Sequence, residues 1–329
     1  MSNPKPKIMN VLIIGGGGFI GSRLATEWLR QHPESKGKIT LVDQAFLDII
    51  KNNPGFECIA GDFSDPSLID PLLEKKPELI FHLAAVVSGE AEKNFDLGMR
   101  VNLYGSQHLL EKCRQLAYCP KVVFASSCGI FGGDVNQVLT EETAPKPKSS
   151  YGTQKAMVDL LMNDFSRRGF VDARCLRLPT ITVRPGKPNA ATSSFLSSII
   201  REPLNGKATS YPVAPSSPFW ILSPKQVVRN FIHAAKLSAK DIGDDRTINL
   251  PGITVSVQEM IDSLEKVTHK GITDHISYEP DAFLQSIVLT WPPNFDTKKA
   301  DALGFTADKN TTEIITNYIQ EEHIQVPEK

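Results

Sequence analysis

Short apolar runs rich in β-branched residues alternate with segments of helical periodicity along the first half of the chain. The apolar runs predict strands at residues 10–14, 38–42, 56–60, 79–83 and 122–125, and the helical spacing predicts helices over 22–31, 66–75 and 95–116. Strands that are apolar on both faces and alternate with helices are typical of parallel βαβ units. The sequence therefore predicts an α/β fold with a doubly wound parallel sheet.

The alternation is lost near residue 178. Residues 179–224 are rich in proline and in small polar residues, and clear periodicity returns only with a predicted helix at 223–239, a strand at 245–250 and a helix at 257–268. We therefore expect a first domain over residues 1–178 and a smaller, mainly substrate-binding lobe over 179–329. Elements at about 220–250 could return to the first sheet.

A glycine-rich turn joins the first predicted strand to the first helix. Gly15, Gly18 and Gly21 form G-x-x-G-x-x-G, and Phe19 and Ile20 lie between the last two glycines. Glycine allows the tight turn and lets the backbone approach a pyrophosphate, which the helix N-terminus then attracts. These five residues are predicted to contact a dinucleotide, and the first domain is predicted to be Rossmann-type.

The nature of the dinucleotide depends on Asp43, at the end of the second predicted strand. A carboxylate about 20 residues after the glycine turn accepts hydrogen bonds from the adenosine ribose and repels a 2′-phosphate. The pattern favours NAD over NADP, although a surface aspartate at a strand end is the simpler alternative. Asp62 is expected near the adenine edge and Ala84 beside the cofactor.

Composition limits the class of protein. The 329 residues carry 36 basic and 37 acidic side chains, so the net charge of -1 gives no basic surface for nucleic acid. No apolar run approaches the roughly 20 residues of a membrane span, and the N-terminus lacks the pattern of a signal peptide. Five cysteines without C-x-x-C spacing predict neither disulfides nor a metal site. We expect a cytoplasmic protein.

Candidate catalytic residues follow the strand at 122–125. Tyr151 and Lys155 stand four residues apart, which places both on one face of a helix. A nearby lysine cation favours the phenolate form of a tyrosine and makes it a usable base. Ser126 and Ser127 end the strand, where a hydroxyl can hold the oxygen of a substrate.

Together these motifs resemble the extended short-chain dehydrogenase/reductase family. Its pattern S-x-x-[VI]-[YF]-G matches residues 127–132, which implies that Ser127 is the catalytic serine, Tyr151 the base and Lys155 the group that lowers the tyrosine pKa and holds the nicotinamide ribose. Asn102 matches an asparagine of the family, with either a structural or a proton-relay role. The family also implies a homodimer formed through helices at 95–116 and 151–168.

The expected substrate is a small sugar acid. Many family members bind nucleotide sugars through an asparagine, and Thr180 occupies that position here. Residues 183–195 are mostly short and polar, and Arg184 could clamp a carboxylate, whereas Arg201 has Glu202 beside it. Segments 82–92, 167–172, 177–180 and 184–190 resemble a subgroup that oxidises a four-carbon sugar acid at C2, which adds Ser88 to Ser127, Tyr151 and Arg184 as substrate contacts.

Three other functions fit parts of the pattern. A nucleotide-sugar epimerase or dehydratase would use and regenerate NAD on the same fold. A non-catalytic NAD-binding regulator would not need Ser127, Tyr151 and Lys155 together. An amino-alcohol dehydrogenase would need an acidic group for the ammonium in addition to a carboxylate clamp.

Overall fold

A computed structural model describes residues 9–133, 136–186 and 191–327. The strands are β1 Val11–Ile14, β2 Ile39–Asp43, β3 Phe56–Ala60, β4 Leu79–His82, β5 Lys121–Ser127, β6 Asp172–Leu178, β7 Thr180–Ile181, β8 Thr209–Tyr211, β9 Pro218–Leu222, β10 Thr247–Asn249, β11 Ile253–Ser256 and β12 Ile276–Tyr278. The helices are α1 Phe19–Gln31, α2 Asp48–Lys51, α3 Pro66–Glu74, α4 Ser88–Lys93, α5 Phe95–Gly98, α6 Ser106–Leu116, α7 Ser150–Arg167, α8 Ser194–Leu204, α9 Pro224–Lys236, α10 Ala239–Ile242, α11 Val257–Val267, α12 Ala282–Val288, α13 Lys298–Ala302 and α14 Thr311–Glu321.

Seven strands form one parallel sheet in the order β10-β6-β5-β4-β1-β2-β3. The direction of winding reverses between β1 and β4, which opens a crevice at their carboxyl ends. Apolar residues of α1 and α9 cover one face of the sheet, and those of α3, α6 and α7 cover the other. The predicted doubly wound parallel sheet is confirmed.

The helix predicted over 95–116 is interrupted. A π-helical segment, Met99–Gly105, separates α5 from α6. Asn102 lies in this segment, where its side-chain oxygen accepts a hydrogen bond from the Val86 amide at 2.8 Å and its amide donates to Gln154 at 2.8 Å. These contacts tie the loop after β4 to α7, which favours the structural role of Asn102.

Some elements after residue 178 join the main sheet, and the others form a separate, smaller core. Strand β10 adds to the edge of the main sheet beside β6, and α9 packs under the sheet next to α1. The remaining strands form a three-stranded sheet of β11, β9 and β7 and a two-stranded sheet of β12 and β8, around a core shared with α8, α11 and α14. The division into a domain at 1–178 and a lobe at 179–329 stays a prediction.

Helix α8 was not predicted, because serines and Pro203 obscure its apolar face. In the described part of the chain, no helix combines the length and the apolar character that a bilayer crossing requires.

Candidate functional site

A cavity of about 660 Å³ lies at the carboxyl ends of the central strands and extends to the smaller sheet. It brings together every residue that the sequence predicts for the site: Gly15, Gly18, Phe19, Ile20, Gly21, Asp43, Asp62, Ala84, Ser88, Ser127, Tyr151, Lys155 and Arg184. The dinucleotide residues come from the turn after β1, the start of α1 and the carboxyl ends of β2, β3 and β4. The remaining polar groups come from β5, α4, α7 and the segment after β7.

The glycine turn runs too close to its neighbours for side chains. Gly15 has a φ of +90°, and a Cβ atom there would lie 2.6 Å from the Ala84 backbone nitrogen. A Cβ atom at Gly21 would overlap the Gly15 carbonyl oxygen. Helix α1 begins after Gly18 with no side-chain cap and no acidic residue in its first turn. Its free backbone N–H groups and positive end therefore fit a pyrophosphate.

Asp43 is fixed at the mouth of this turn. One of its carboxylate oxygens accepts hydrogen bonds from the Gly17 and Gly18 amides at 3.0 Å each, and the other accepts from the Gln44 amide at 2.7 Å. Each oxygen has two lone pairs, so the carboxylate retains acceptor capacity for ribose hydroxyls.

Asp62 faces the same end of the cavity but is already engaged. Arg100 donates to one of its oxygens at 2.6 Å, and the Ser64 hydroxyl donates to the other at 2.7 Å. Burial raises the pKa of Asp62, but the hydrogen bonds from Ser64 and Arg100 outweigh it and lower the pKa overall. A contact between Asp62 and the adenine edge stays a prediction.

The catalytic candidates meet where β5 ends and α7 begins. The Ser127 hydroxyl oxygen accepts a hydrogen bond from the Gly129 amide at 2.9 Å, which leaves its own proton free to donate. Tyr151 lies in the first turn of α7, and the Lys155 ammonium lies 5.8 Å from the centre of its ring. Lys155 is 2% exposed and donates to the Ala125 carbonyl at 2.8 Å.

Burial shifts the acidity of both α7 residues. It raises the pKa of Tyr151, against the opposing effects of the nearby Ser127 hydroxyl and the Arg184 cation. It lowers the pKa of Lys155 to about 8, while Asp159 acts in the other direction. The Arg184 cation therefore adds to the stabilisation of the phenolate that the sequence assigned to Lys155, and the role of Lys155 stays a prediction.

Arg184 and Arg201 differ in how many of their guanidinium nitrogens are available to bind a ligand. Within the described residues, Arg184 uses only Nε, which donates to the Ile181 carbonyl at 3.0 Å, and its two terminal nitrogens have no protein acceptor. Arg201 donates to Glu202, to Ser198 and to the Arg184 carbonyl. Arg201 therefore holds the backbone of Arg184, which leaves Arg184 as the cation that can bind an anion.

The smaller sheet and the α4 region add cavity residues that the sequence did not predict: Glu90, Ser193, Phe219, Trp220, Trp291 and Pro292. Glu90 stands two residues after Ser88 in a segment already noted for its resemblance. No spacing could have placed the two tryptophans, because they approach the site through the folding of distant segments. Residues 187–190, the end of the segment at 184–190, lie outside the described residues.

Comparisons with known proteins agree with this geometry. Residues 11–237 match the model of the NAD dependent epimerase/dehydratase family. D-erythronate dehydrogenase of Cupriavidus necator is 45% identical over 95% of this chain and 98% of its own length, and the Haemophilus influenzae enzyme of that name is 42% identical over 95% and 99%. A crystal structure described as a nucleoside-diphosphate-sugar epimerase from Agrobacterium tumefaciens superposes with a TM-score of 0.89, at 38% identity over 98% of each chain.

Proposed function

The chain belongs to the NAD dependent epimerase/dehydratase family, and from this premise we propose that it oxidises the C2 hydroxyl of D-erythronate to give 2-dehydro-D-erythronate. The observation that carries the proposal is the position of Arg184. In a 2-hydroxy acid the carboxylate is bonded directly to the reacting carbon, so the cation that binds it must lie close to the base. Arg184 lines the same cavity as Tyr151, its cation opposes the rise in the Tyr151 pKa, and its terminal nitrogens are free among the described residues.

Four side chains of the protein take part in the proposed reaction. Arg184 binds the carboxylate, with two parallel hydrogen bonds available from its guanidinium. Ser127 donates to the C2 oxygen, and the Tyr151 phenolate takes the proton of the C2 hydroxyl as the carbonyl forms. Ser88, held 3.2 Å from the Thr192 hydroxyl, contacts the remainder of the substrate. NAD, when bound, would supply the acceptor for the hydride that leaves C2.

The glycine turn, the uncapped start of α1 and Asp43 would hold that cofactor. We infer a preference for NAD, because a 2′-phosphate would meet the Asp43 carboxylate and no arginine stands in the next three positions of the sequence. Lys155, above the end of β5, would hold the nicotinamide ribose.

Formation of NADH from a panel of three- to six-carbon sugar acids tests the substrate and the cofactor together. We expect the highest kcat/KM with D-erythronate and NAD, and a much lower value with NADP. Absence of NADH formation from D-erythronate would contradict the proposed substrate. Activity with NADP alone would contradict the role of Asp43.

A second candidate is a nucleotide-sugar epimerase, the description given to the Agrobacterium protein. Thr180 argues against it, since it replaces the asparagine expected to contact nucleotide phosphates. An epimerase returns the hydride to its substrate, so it would release no net NADH and would retain its NAD tightly. A time course of NADH release with stoichiometric enzyme separates the two functions.

We also infer a homodimer formed through α5, the π-helical segment and α7. Their outer surface carries Phe95, Tyr104 and Leu160 with exposed fractions of 56%, 54% and 69%. Leu160 is exposed on α7, whereas Lys155 and Asp159 of the same helix are buried. Exposed apolar groups on adjacent helices are typical of association surfaces.

Replacing Leu160 with aspartate should therefore halve the molecular mass measured by light scattering after size-exclusion chromatography. A buried carboxylate without a partner is costly at an apolar interface, which is why the dimer should dissociate. Phe283→Asp, at an exposed aromatic residue of α12, is the matched control and should remain dimeric. An unchanged mass for Leu160→Asp would place the contact elsewhere.

A further inference from the structure

The cavity contains a carboxylate that the proposed reaction does not use. Among the described residues that line it, only Asp43, Asp62 and Glu90 are acidic, and the two aspartates belong to the dinucleotide end. Glu90 lies on α4, two residues after Ser88. Ser88 contacts Thr192, so this helix adjoins the segment that follows Arg184. Glu90 therefore belongs to the end of the cavity that receives the substrate.

The side chain of Glu90 has no hydrogen bond or ion pair within the described ranges, although the residue is half-buried. Its neighbour on α4 behaves differently, because the Glu92 carboxylate accepts a hydrogen bond from the Ser150 amide at 2.8 Å. A partly buried carboxylate is stabilised by hydrogen-bond donors, and the described residues supply none here. A ligand that carries hydroxyl groups can supply them.

We propose that Glu90 accepts hydrogen bonds from the hydroxyl groups that lie beyond the reacting carbon, and that it restricts the site to polyhydroxy acids with a single carboxylate. This inference rests on the proposed function, because it takes the carboxylate next to C2 to be bound by Arg184. The two side chains then recognise opposite ends of one molecule, the cation its anionic end and the carboxylate its donor end.

The same arrangement excludes dicarboxylic acids. A second carboxylate at the far end has no proton to donate and repels the Glu90 carboxylate, whereas a hydroxyl group there forms a charge-assisted hydrogen bond. Discrimination by an unfavourable contact with the wrong ligand is an effective source of specificity. meso-Tartrate is the sharpest probe, because it is D-erythronate with the terminal CH₂OH group replaced by a carboxylate.

The test compares kcat/KM for D-erythronate and meso-tartrate in the wild-type protein, in Glu90→Gln and in the control Glu74→Gln. Glutamine preserves the size of the side chain, removes its charge and can donate to a carboxylate. We expect the preference for D-erythronate over meso-tartrate to fall at least tenfold in Glu90→Gln, through both a higher KM for D-erythronate and better use of meso-tartrate. Glu74→Gln makes the same charge change outside the cavity and should keep the wild-type preference.

An unchanged preference in Glu90→Gln overturns the inference. If the wild-type protein forms no NADH from D-erythronate, the proposed function fails, and calorimetric titration of both acids into the protein loaded with NADH still tests Glu90. A ratio of the two affinities that shifts toward meso-tartrate supports the role of Glu90, and an unchanged ratio or no binding of either acid overturns it. Glu90→Ala serves as the second variant if the glutamine protein does not fold.

Discussion

Replacing Tyr151 with phenylalanine is expected to lower kcat by about 10²–10⁴-fold, the usual contribution of a general acid–base group. The substitution removes one oxygen atom and preserves the ring that packs at the start of α7. Oxidation requires that the proton of the C2 hydroxyl leave with the hydride, and neither of two titratable groups behind the cavity is available to take it: His82 is buried against Ser106 and Asp159 is paired with Arg177.

The pH dependence of the wild-type protein supplies an independent readout. Burial raises the pKa of Tyr151, so the phenolate fraction grows only as the pH rises toward that value, and the rate of oxidation should increase with it. The phenylalanine variant should lose this increase along with most of its turnover. NAD binding, measured by calorimetric titration, should be nearly unchanged.

Tyr278→Phe is the matched control, since Tyr278 lies in the smaller lobe outside the cavity and is 46% exposed. It should keep wild-type turnover. Retained turnover in a pure Tyr151→Phe sample would remove Tyr151 from the base position.

The parts of the site that the sequence predicts are those built from local patterns. A turn with no room for Cβ atoms requires glycine. The crowding at Gly15 and Gly21 therefore explains why the glycine spacing alone predicts this turn. The relation of Tyr151 to Lys155 is fixed by the pitch of one helix. The strand at 56–60 has the predicted bounds, and β1, β2, β4 and β5 differ from theirs by a few residues at most, because burial on both faces makes their apolar runs continuous.

The remaining features depend on contacts between distant segments. Strand β10 lies within the strand predicted at 245–250, but its pairing with β6 is a contact between distant segments. The loop at Leu139 pairs with Asn294, and Phe295 stacks on Trp220, which brings the Trp291 region over the cavity. No periodicity in either segment signals these contacts. Glu90 illustrates the same limit, because its exposure to the cavity and its lack of a partner among the described residues are properties of the folded chain.

A buried ion pair between α7 and β6 is the basis of a second prediction, which concerns the stability of the protein. Arg177 on β6 donates through Nε to the Asp159 carboxylate on α7 at 3.0 Å, and both residues are at least 96% buried, with exposed fractions of 4% and 2%. The guanidinium also lies 5.2 Å from the centre of the Phe131 ring and 3.5 Å from the Asn249 side-chain oxygen on β10. The pair therefore joins α7 to two strands of the sheet, one helical turn beyond Lys155.

Replacing Arg177 with methionine should lower the free energy of unfolding by about 3–5 kcal/mol, because it leaves the Asp159 carboxylate buried without its counter-charge. Burial already raises the pKa of Asp159 against the effect of Arg177, and removal of the arginine should raise it further. An acid whose pKa is higher in the folded state than in the unfolded state binds more protons when folded, so stability increases as the pH falls through the folded pKa. The deficit of Arg177→Met, measured by urea unfolding, should thus be largest near neutral pH and shrink toward pH 4.

The control variant Arg167→Met breaks the exposed pair with Asp164 on the same helix and should cost less than about 1 kcal/mol at any of these pH values. Equal losses in the two variants would contradict the prediction. A deficit in Arg177→Met that does not change with pH would show that lost packing of the arginine side chain, rather than the orphaned carboxylate, causes the loss of stability.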